Sequence, residues 1–316
     1  MSARDDLATL VEPTTSHDRT PAQCAMDDRD WLFEGAWPFP PRWHFVDGVR
    51  LHYIDEGSHN PNAVVLLHGN ATWSFLYRKV ISDLSKAGLR VVALDQLGFG
   101  RSDKPHRVKE YSLARHCFFL ESLLDDLALD SVTLVTHDWG GPVAFSWAIQ
   151  NPDRLRSLVL LNTFVHSPHY SKSNFIGPIL LKGAHRGLHR IINSGQVKTN
   201  LEEHVLKAYF APHPSWDSRA GILAFDRVHS SRKSSINTKV MKNICNDLGV
   251  LSNKPTEIVW GLEDSLLPIG MLDQLRNVFP GAGVRTLKGV GHLVPEFAPS
   301  EVTRTVLELH EGHGPS

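Results

Sequence analysis

VTHDWGG, residues 135–141, follows the apolar run SVTLV (131–135) and opens a helix-like stretch at 139–150. A buried strand, a sharp turn and a helix, with small-x-nucleophile-x-small across the turn, make the context of a nucleophile elbow. Here the nucleophile's position holds a carboxylate, Asp138. Gly140 lets the turn pass close to its neighbours, while Thr136 stands where glycine is commonest and is merely small.

Outward from the elbow, other short apolar runs read as buried strands: AVVLL (63–67), RVVAL (90–94), SLVLL (157–161) and TEIVW (256–260), with one more strand at 284–288. RWHFVD and VRLHYID flank Gly48 as two strands joined by a tight turn. Helices are expected at 73–86, 112–128, 268–279 and 298–311 besides the one after the elbow. Repetition of strand, loop and helix predicts a mostly parallel sheet with helices on both faces. Together with the elbow this is the α/β-hydrolase fold. The alternation breaks between 165 and 250, where pieces such as LEEHVLKAYF (201–210) lie among Gly, Pro, His and Ser without a strand-like run. That segment is expected to be a helical cap inserted after the sixth strand, roofing the carboxyl ends of the strands where open α/β sheets bind ligands. The core is then 31–164 and 251–316, and the polar, aperiodic residues 1–30 form a flexible arm away from the site.

Composition narrows the function classes. The chain has 316 residues, 41% hydrophobic and 21% charged, with a formal net charge of −1 and scattered Lys and Arg. A near-neutral, unstriped charge gives no footprint for nucleic acid. No apolar run reaches the roughly 18 residues of a spanning helix, and the start of the chain lacks a signal-peptide layout. Cys24, Cys117 and Cys245 are odd in number and unpaired in spacing, which argues against a disulfide framework or a thiolate zinc site. A cytoplasmic, soluble protein is expected. His185 and His189 have metal-compatible i, i+4 spacing, but without an HExxH or carboxylate context they read as a solvated helix face.

The elbow carboxylate dictates what else is needed. With a reference pKa of about 3.9, a carboxylate is ionised without help and attacks an sp³ carbon directly, leaving an alkyl ester of the enzyme. Hydrolysing that ester requires a neutral histidine to activate water and an acid to orient it. WGLED (260–264) follows the TEIVW strand and GVGHLVPEF (289–297) follows the next, so Asp138, Asp264 and His292 occur in the order this fold requires. Alone, each would read as a turn acid or a loop histidine; three at successive strand ends read as a triad. Glu263 competes for the orienting role, whereas LLNTF offers Asn162, not an acid, at the end of the sixth strand.

LLHGNATWSFLYR (66–78) follows an earlier strand. The backbone after His68-Gly69 and the amide of Trp139 can form an oxyanion hole. The Asn70 side-chain amide and the Trp139 indole are donors able to converge before Asp138, which suits a leaving group that departs as a weakly hydrated halide. His137 reads as held by a backbone hydrogen bond and Glu296 as a structural acid. No metal or organic cofactor enters this chemistry; the partners are a small apolar substrate and water.

HGNATWSFLYR, LDQLGFGRSDKP (94–105), HDWGG, WGLEDSLLP and GHLVPEFAP (291–299) together resemble the haloalkane dehalogenase family, from about Trp31 to the C-terminal helix and least across the cap. The resemblance implies Asp138 as nucleophile, His292 as base, Asp264 as orienting acid, and Asn70 with Trp139 as the halide-stabilising pair. The acid after the seventh strand together with Asn-Trp resembles the subgroup often called the third. Ala71 departs from the pattern, because such proteins usually carry proline there, and without its fixed φ the placement of Asn70 is less constrained.

The same motifs also resemble the β-lactone decarboxylases of long-chain olefin biosynthesis, and KAYFAPHPSWDSRAGILAF (207–225) is similar to the caps of both groups. Motifs alone do not separate the two. Epoxide hydrolases share the alkyl-ester chemistry but use cap tyrosines. Only Tyr170 and Tyr209 lie in this cap, where they read as packing residues, and Asn70 points away from that activity. An oxygenase-like luciferase on the same frame is a further alternative. A catalytically dead receptor has no need of all three triad residues.

Overall fold

SVTLVTHD is apolar or small at nearly every position because both of its faces are covered. In the computed structural model it forms β5 (Ser131–Asp138), buried at every residue after Ser131. The structure describes residues 27–57, 59, 61–165, 201–230 and 236–312, with side chains omitted at 226–230.

The remaining strands are β1 (Arg42–Val46), β2 (Val49–Glu56), β3 (Asn62–Leu67), β4 (Arg90–Leu94), β6 (Leu155–Thr163), β7 (Thr256–Gly261) and β8 (Gly283–Leu287). They form one sheet in the order β1-β2-β4-β3-β5-β6-β7-β8. β2 runs antiparallel to β1 and β4, and all other neighbours are parallel. The chain leaves β3 toward β4, then returns past β3 to β5, so the order of strands reverses there. Leu67 at the end of β3 lies opposite Thr136 in β5. The segment after β3 and the elbow after β5 therefore emerge side by side at a topological switch point, where open α/β sheets hold ligands.

Covering the sheet are α1 (Arg78–Lys86), α2 (Leu113–Asp126), α3 (Gly140–Gln150) and, further along, α7 (Gly270–Val278), the short α8 (Val294–Phe297) and α9 (Pro299–His310). Between β6 and β7 the described residues form α4 (Glu203–Phe210), α5 (Ala220–Ser230) and α6 (Ile236–Asp247). α3 is buried from Gly140 to Ala148, which is why GGPVAFSWA carries no charge: a helix covered on all sides has no polar face. The helix expected over 73–86 opens instead as a 3-10 turn at Ser74–Tyr77 before α1 begins. Its Ser74 amide donates to the buried Asp95 carboxylate at 2.8 Å, which holds the start of the turn against the end of β4. Among the described residues no helix is long and apolar enough to cross a membrane.

Candidate active site

Asp138 ends β5 with φ +49°, in the left-handed region. For a residue with a Cβ that conformation costs about 1–2 kcal/mol, so its surroundings must enforce it. They do so through close approach. A Cβ on Gly140 would lie 2.4 Å from the Leu67 carbonyl oxygen, and one on Gly141 would lie 2.0 Å from Thr163 Oγ1. The Thr163 hydroxyl donates to the Asp138 carbonyl at 2.6 Å. Gly69 is equally constrained, since a Cβ there would sit 2.5 Å from Asp138 Oδ2. That closeness brings the Asn70 backbone amide to Asp138 Oδ2 at 2.9 Å. Burial pushes the Asp138 pKa up, and His292 together with the amides of Asn70 and Trp139 opposes it; the net direction is upward. The carboxylate is thus poorly solvated and held by directed donors.

The loops after β7 and β8 supply the next pair. His292 Nδ1 and Asp264 Oδ2 are 2.8 Å apart, with side chains 2% and 1% exposed. Asp264 Oδ1 accepts from the amides of Leu266 and Leu267 at 2.7 and 3.0 Å. Burial works against ionising Asp264, but His292 and these donors hold its pKa below the usual value. For His292, burial works against the imidazolium, while Asp264 and the Asp138 charge more than offset this and raise its pKa. Glu263, the competing acid, is exposed and lies 3.5 Å from the Gly289 amide instead.

Asn162 is a residue that sequence reasoning read only as a missing acid. Its Nδ2 donates to Asp264 Oδ2 at 2.7 Å and its Oδ1 accepts from the Gly261 amide at 2.7 Å. It sits at φ +32°, one residue before Thr163. A polar pair ending an otherwise apolar strand, beside the elbow, was the available signal. His137 Nε2 donates to the His292 carbonyl at 2.9 Å. Burial, reinforced by His292, holds the His137 pKa well below the usual histidine value, so it is a neutral strut.

The expected leaving-group donors are placed differently from each other. Trp139 is buried between Phe164, edge-on at 5.1 Å, and Phe225, at 5.0 Å. Asn70 presents its backbone amide to Asp138, while its side-chain amide donates to the Ile222 carbonyl of α5 at 3.3 Å. A buried amide needs acceptors, and the inserted helix provides one. His68 fixes this loop: its Nδ1 donates to the Gly69 carbonyl at 2.8 Å and its Nε2 accepts from the Gln96 amide at 3.0 Å. Burial lowers the His68 pKa, consistent with that neutral tautomer. Ala71, at the departure from the proline pattern, has φ +60°. Proline cannot adopt that angle, so the conformation found here excludes proline at this position.

Glu296, expected as a structural acid, accepts from Arg78 Nη2 at 2.7 Å, Lys79 Nζ at 3.1 Å and the Tyr209 hydroxyl at 2.6 Å. Tyr209 thus directs its hydroxyl to Glu296, while Tyr170, His185 and His189 lie outside the described residues. Among the described residues no group of three or more His, Cys, Asp or Glu side chains is arranged to hold a metal.

A left-handed acid at the end of a central strand, with a histidine–carboxylate pair on the loops after later strands of a mostly parallel sheet, defines an α/β hydrolase. The α/β hydrolase fold family model matches residues 62–299, and the chain belongs to that family. It is similar to a cis-3-alkyl-4-alkyloxetan-2-one decarboxylase of Shewanella oneidensis, 33% identical over 277 residues that cover 83% of this chain and 86% of the relative. It is also similar to a haloalkane dehalogenase of Mycolicibacterium paratuberculosis, 31% identical over 299 residues, covering 89% and 97%. Among solved structures, the tetrameric haloalkane dehalogenase of Paraglaciecola agarilytica NO2 aligns with a TM-score of 0.76 at 26% identity, covering 91% of this chain and 97% of that one.

Proposed function

We propose that the chain is a haloalkane dehalogenase acting through an alkyl ester on Asp138. The observation that carries this reading is the elbow itself: Asp138 at φ +49°, its Oδ2 held by the Asn70 amide at 2.9 Å. An Asp138 oxygen attacks the halogen-bearing carbon and halide leaves with the bonding pair. His292, oriented by Asp264, then takes a proton from water, and the hydroxide adds to the ester carbonyl. The amides of Asn70 and Trp139 hold the oxyanion, and collapse expels the alkoxide, which takes the hydroxyl proton and leaves as the alcohol; the carboxylate is restored and His292 gives up its proton to water. The Trp139 indole and the Asn70 side-chain amide receive the halide, the latter by exchanging its bond to Ile222. The aromatic surround of Trp139 favours a small apolar substrate, with the insertion at 165–250 acting as the cap. Asp138→Asn is expected to abolish turnover, and His292→Phe to trap an alkyl-enzyme with a mass increase equal to the alkyl group. Absence of that adduct with every haloalkane offered sinks halide displacement.

A second reading is favoured by the similarity to the Shewanella oneidensis decarboxylase. In that scheme Asp138 attacks C4, the sp³ ring carbon of a cis-dialkyl β-lactone, breaking its bond to the ring oxygen and freeing a carboxylate. Loss of CO₂ then expels Asp138 and forms the alkene, with no water consumed. Purified protein offered 1-bromobutane, a cis-dialkyl β-lactone and styrene oxide, scored for bromide, for CO₂ with alkene and for diol, separates these chemistries from epoxide hydrolysis.

A further inference from the structure

Glu296 lies four residues beyond His292, is buried, and collects donors from two other parts of the chain. Arg78 and Lys79 come from the start of α1, and Tyr209 comes from α4 of the insertion. Only one turn of chain separates Glu296 from the base: the Val294 amide donates to the His292 carbonyl at 3.0 Å, and the Glu296 amide to the Leu293 carbonyl at 3.0 Å. α4 is also tied to the segment that carries Asn70. The Trp73 indole donates to the Ala208 carbonyl at 3.0 Å, and the Phe75 ring meets Tyr209 edge-on at 5.2 Å. The Arg78 guanidinium lies 4.2 Å above the Phe75 ring, so these contacts are continuous.

We propose that Glu296 and Tyr209 are positioning residues that latch the inserted α4 to the His292 loop, so that the base is aligned only while the insertion is seated. The proposal rests on the ester chemistry above for its kinetic consequence and on geometry alone for the latch. Arg78 neutralises the Glu296 charge without any help from the insertion. The Tyr209 hydroxyl is therefore the part of the cluster that reports whether α4 is in place. A displacement of about 1 Å at a base is enough to slow its step roughly a hundredfold. Displacement of halide by Asp138 does not use the base, and when only the Tyr209 hydroxyl is lost the Trp73 indole still joins α4 to the Asn70 segment, so that step is spared.

The test is Tyr209→Phe in the full chain, which deletes one hydroxyl and keeps the ring on Phe75, with Glu296→Gln as a second variant. With 1-bromobutane, the first equivalent of bromide should appear at the wild-type rate. Steady-state turnover should fall about 10- to 100-fold, with alkyl-enzyme accumulating in the mass spectrum. Equal slowing of both phases, unchanged turnover, or a first-phase amplitude and steady-state velocity lowered in the same proportion, as from a loss of folded protein, overturns the proposal. If wild-type protein releases no bromide from 1-bromobutane or any other bromoalkane offered, the functional reading fails, and amide hydrogen exchange decides the latch on its own. Exchange in Tyr209→Phe should then rise across 291–298 as well as 203–210, with 63–67 unchanged; a rise confined to 203–210 overturns the latch.

Discussion

Ala71→Pro would introduce the proline that the resemblance to haloalkane dehalogenases leads one to expect here, and the structure predicts that it will damage this protein. Ala71 is 1% exposed and sits at φ +60°, whereas proline is locked near −65°, a difference of about 125° at the bond next to Asn70. Proline also drives the residue before it toward extended geometry, and that residue is Asn70. The loop cannot simply retreat. Gly69 already approaches Asp138 so closely that a Cβ would be 2.4 Å from the Asp138 Cβ. Loss of the Asn70 amide bond to a buried carboxylate costs about 1.5–3 kcal/mol, and forcing proline into an incompatible backbone about 3 kcal/mol. At about 2 °C per kcal/mol for a chain of this size, even one of these terms lowers the melting temperature by about 3–6 °C. On the proposed mechanism, displacing the Asn70 amide as an oxyanion donor lowers turnover roughly 10²–10³-fold. The control is Ala71→Gly. It relieves about 1–2 kcal/mol of left-handed strain, loses about 0.8 kcal/mol of buried methyl and adds about 0.4–1 kcal/mol of unfolded-state entropy, so its stability should be nearly unchanged. Thermal unfolding and bromide release measure both variants. An Ala71→Pro protein that melts higher and turns over normally refutes the loop geometry.

Asp264→Asn removes the charge that, with its hydrogen bond, raises the His292 pKa against burial. Because the folded value is raised, protonated His292 stabilises the fold fully below the ordinary histidine pKa, and this contribution is lost as pH rises through the folded pKa. On the proposed mechanism activity runs the opposite way, since His292 as base must be neutral. The variant's rising activity limb should therefore move to lower pH while its plateau drops by roughly 10³–10⁴-fold; a limb that stays in place contradicts the assignment. Asp138 shows the reverse linkage: burial raises its folded pKa, so its charge opposes folding above that value and the penalty disappears as pH falls below the ordinary carboxylate range. Asp138→Asn should accordingly melt above wild type near neutral pH, with the gap closing in acid, and a lower melting temperature near neutrality would count against it. Gly140→Ala places a methyl 2.4 Å from a backbone oxygen of Leu67 and should destabilise by about 1–3 kcal/mol in urea unfolding, whereas wild-type stability would mean the elbow is looser than described.

The strands and most helices were legible in the sequence because burial writes itself as composition. SVTLV, RVVAL and TEIVW are mostly apolar on both faces, and GGPVAFSWA lacks charge, since nearly every residue in them is covered. The order Asp138, Asp264, His292 was legible for the same local reason: each follows a recognisable strand end, and parallel strands deliver their ends to one edge. What side chains do across elements was not written there. That Asn162 clamps Asp264, that Asn70 offers its backbone to Asp138 but its side chain to Ile222, and that Tyr209 reaches Glu296 depend on distances between segments up to 152 residues apart. Hydrogen bonds are short and directional, so no periodicity along the chain encodes them. The left-handed turn at Ala71 belongs to the same class: the residue tolerates several conformations, and the crowding around Gly69 and Asp138 selects one. The amino-acid sequence by itself determined the fold and the carboxylate that stands at its elbow, because these follow from local pattern; the tertiary structure alone decided how each polar group is satisfied, because that is a matter of packing.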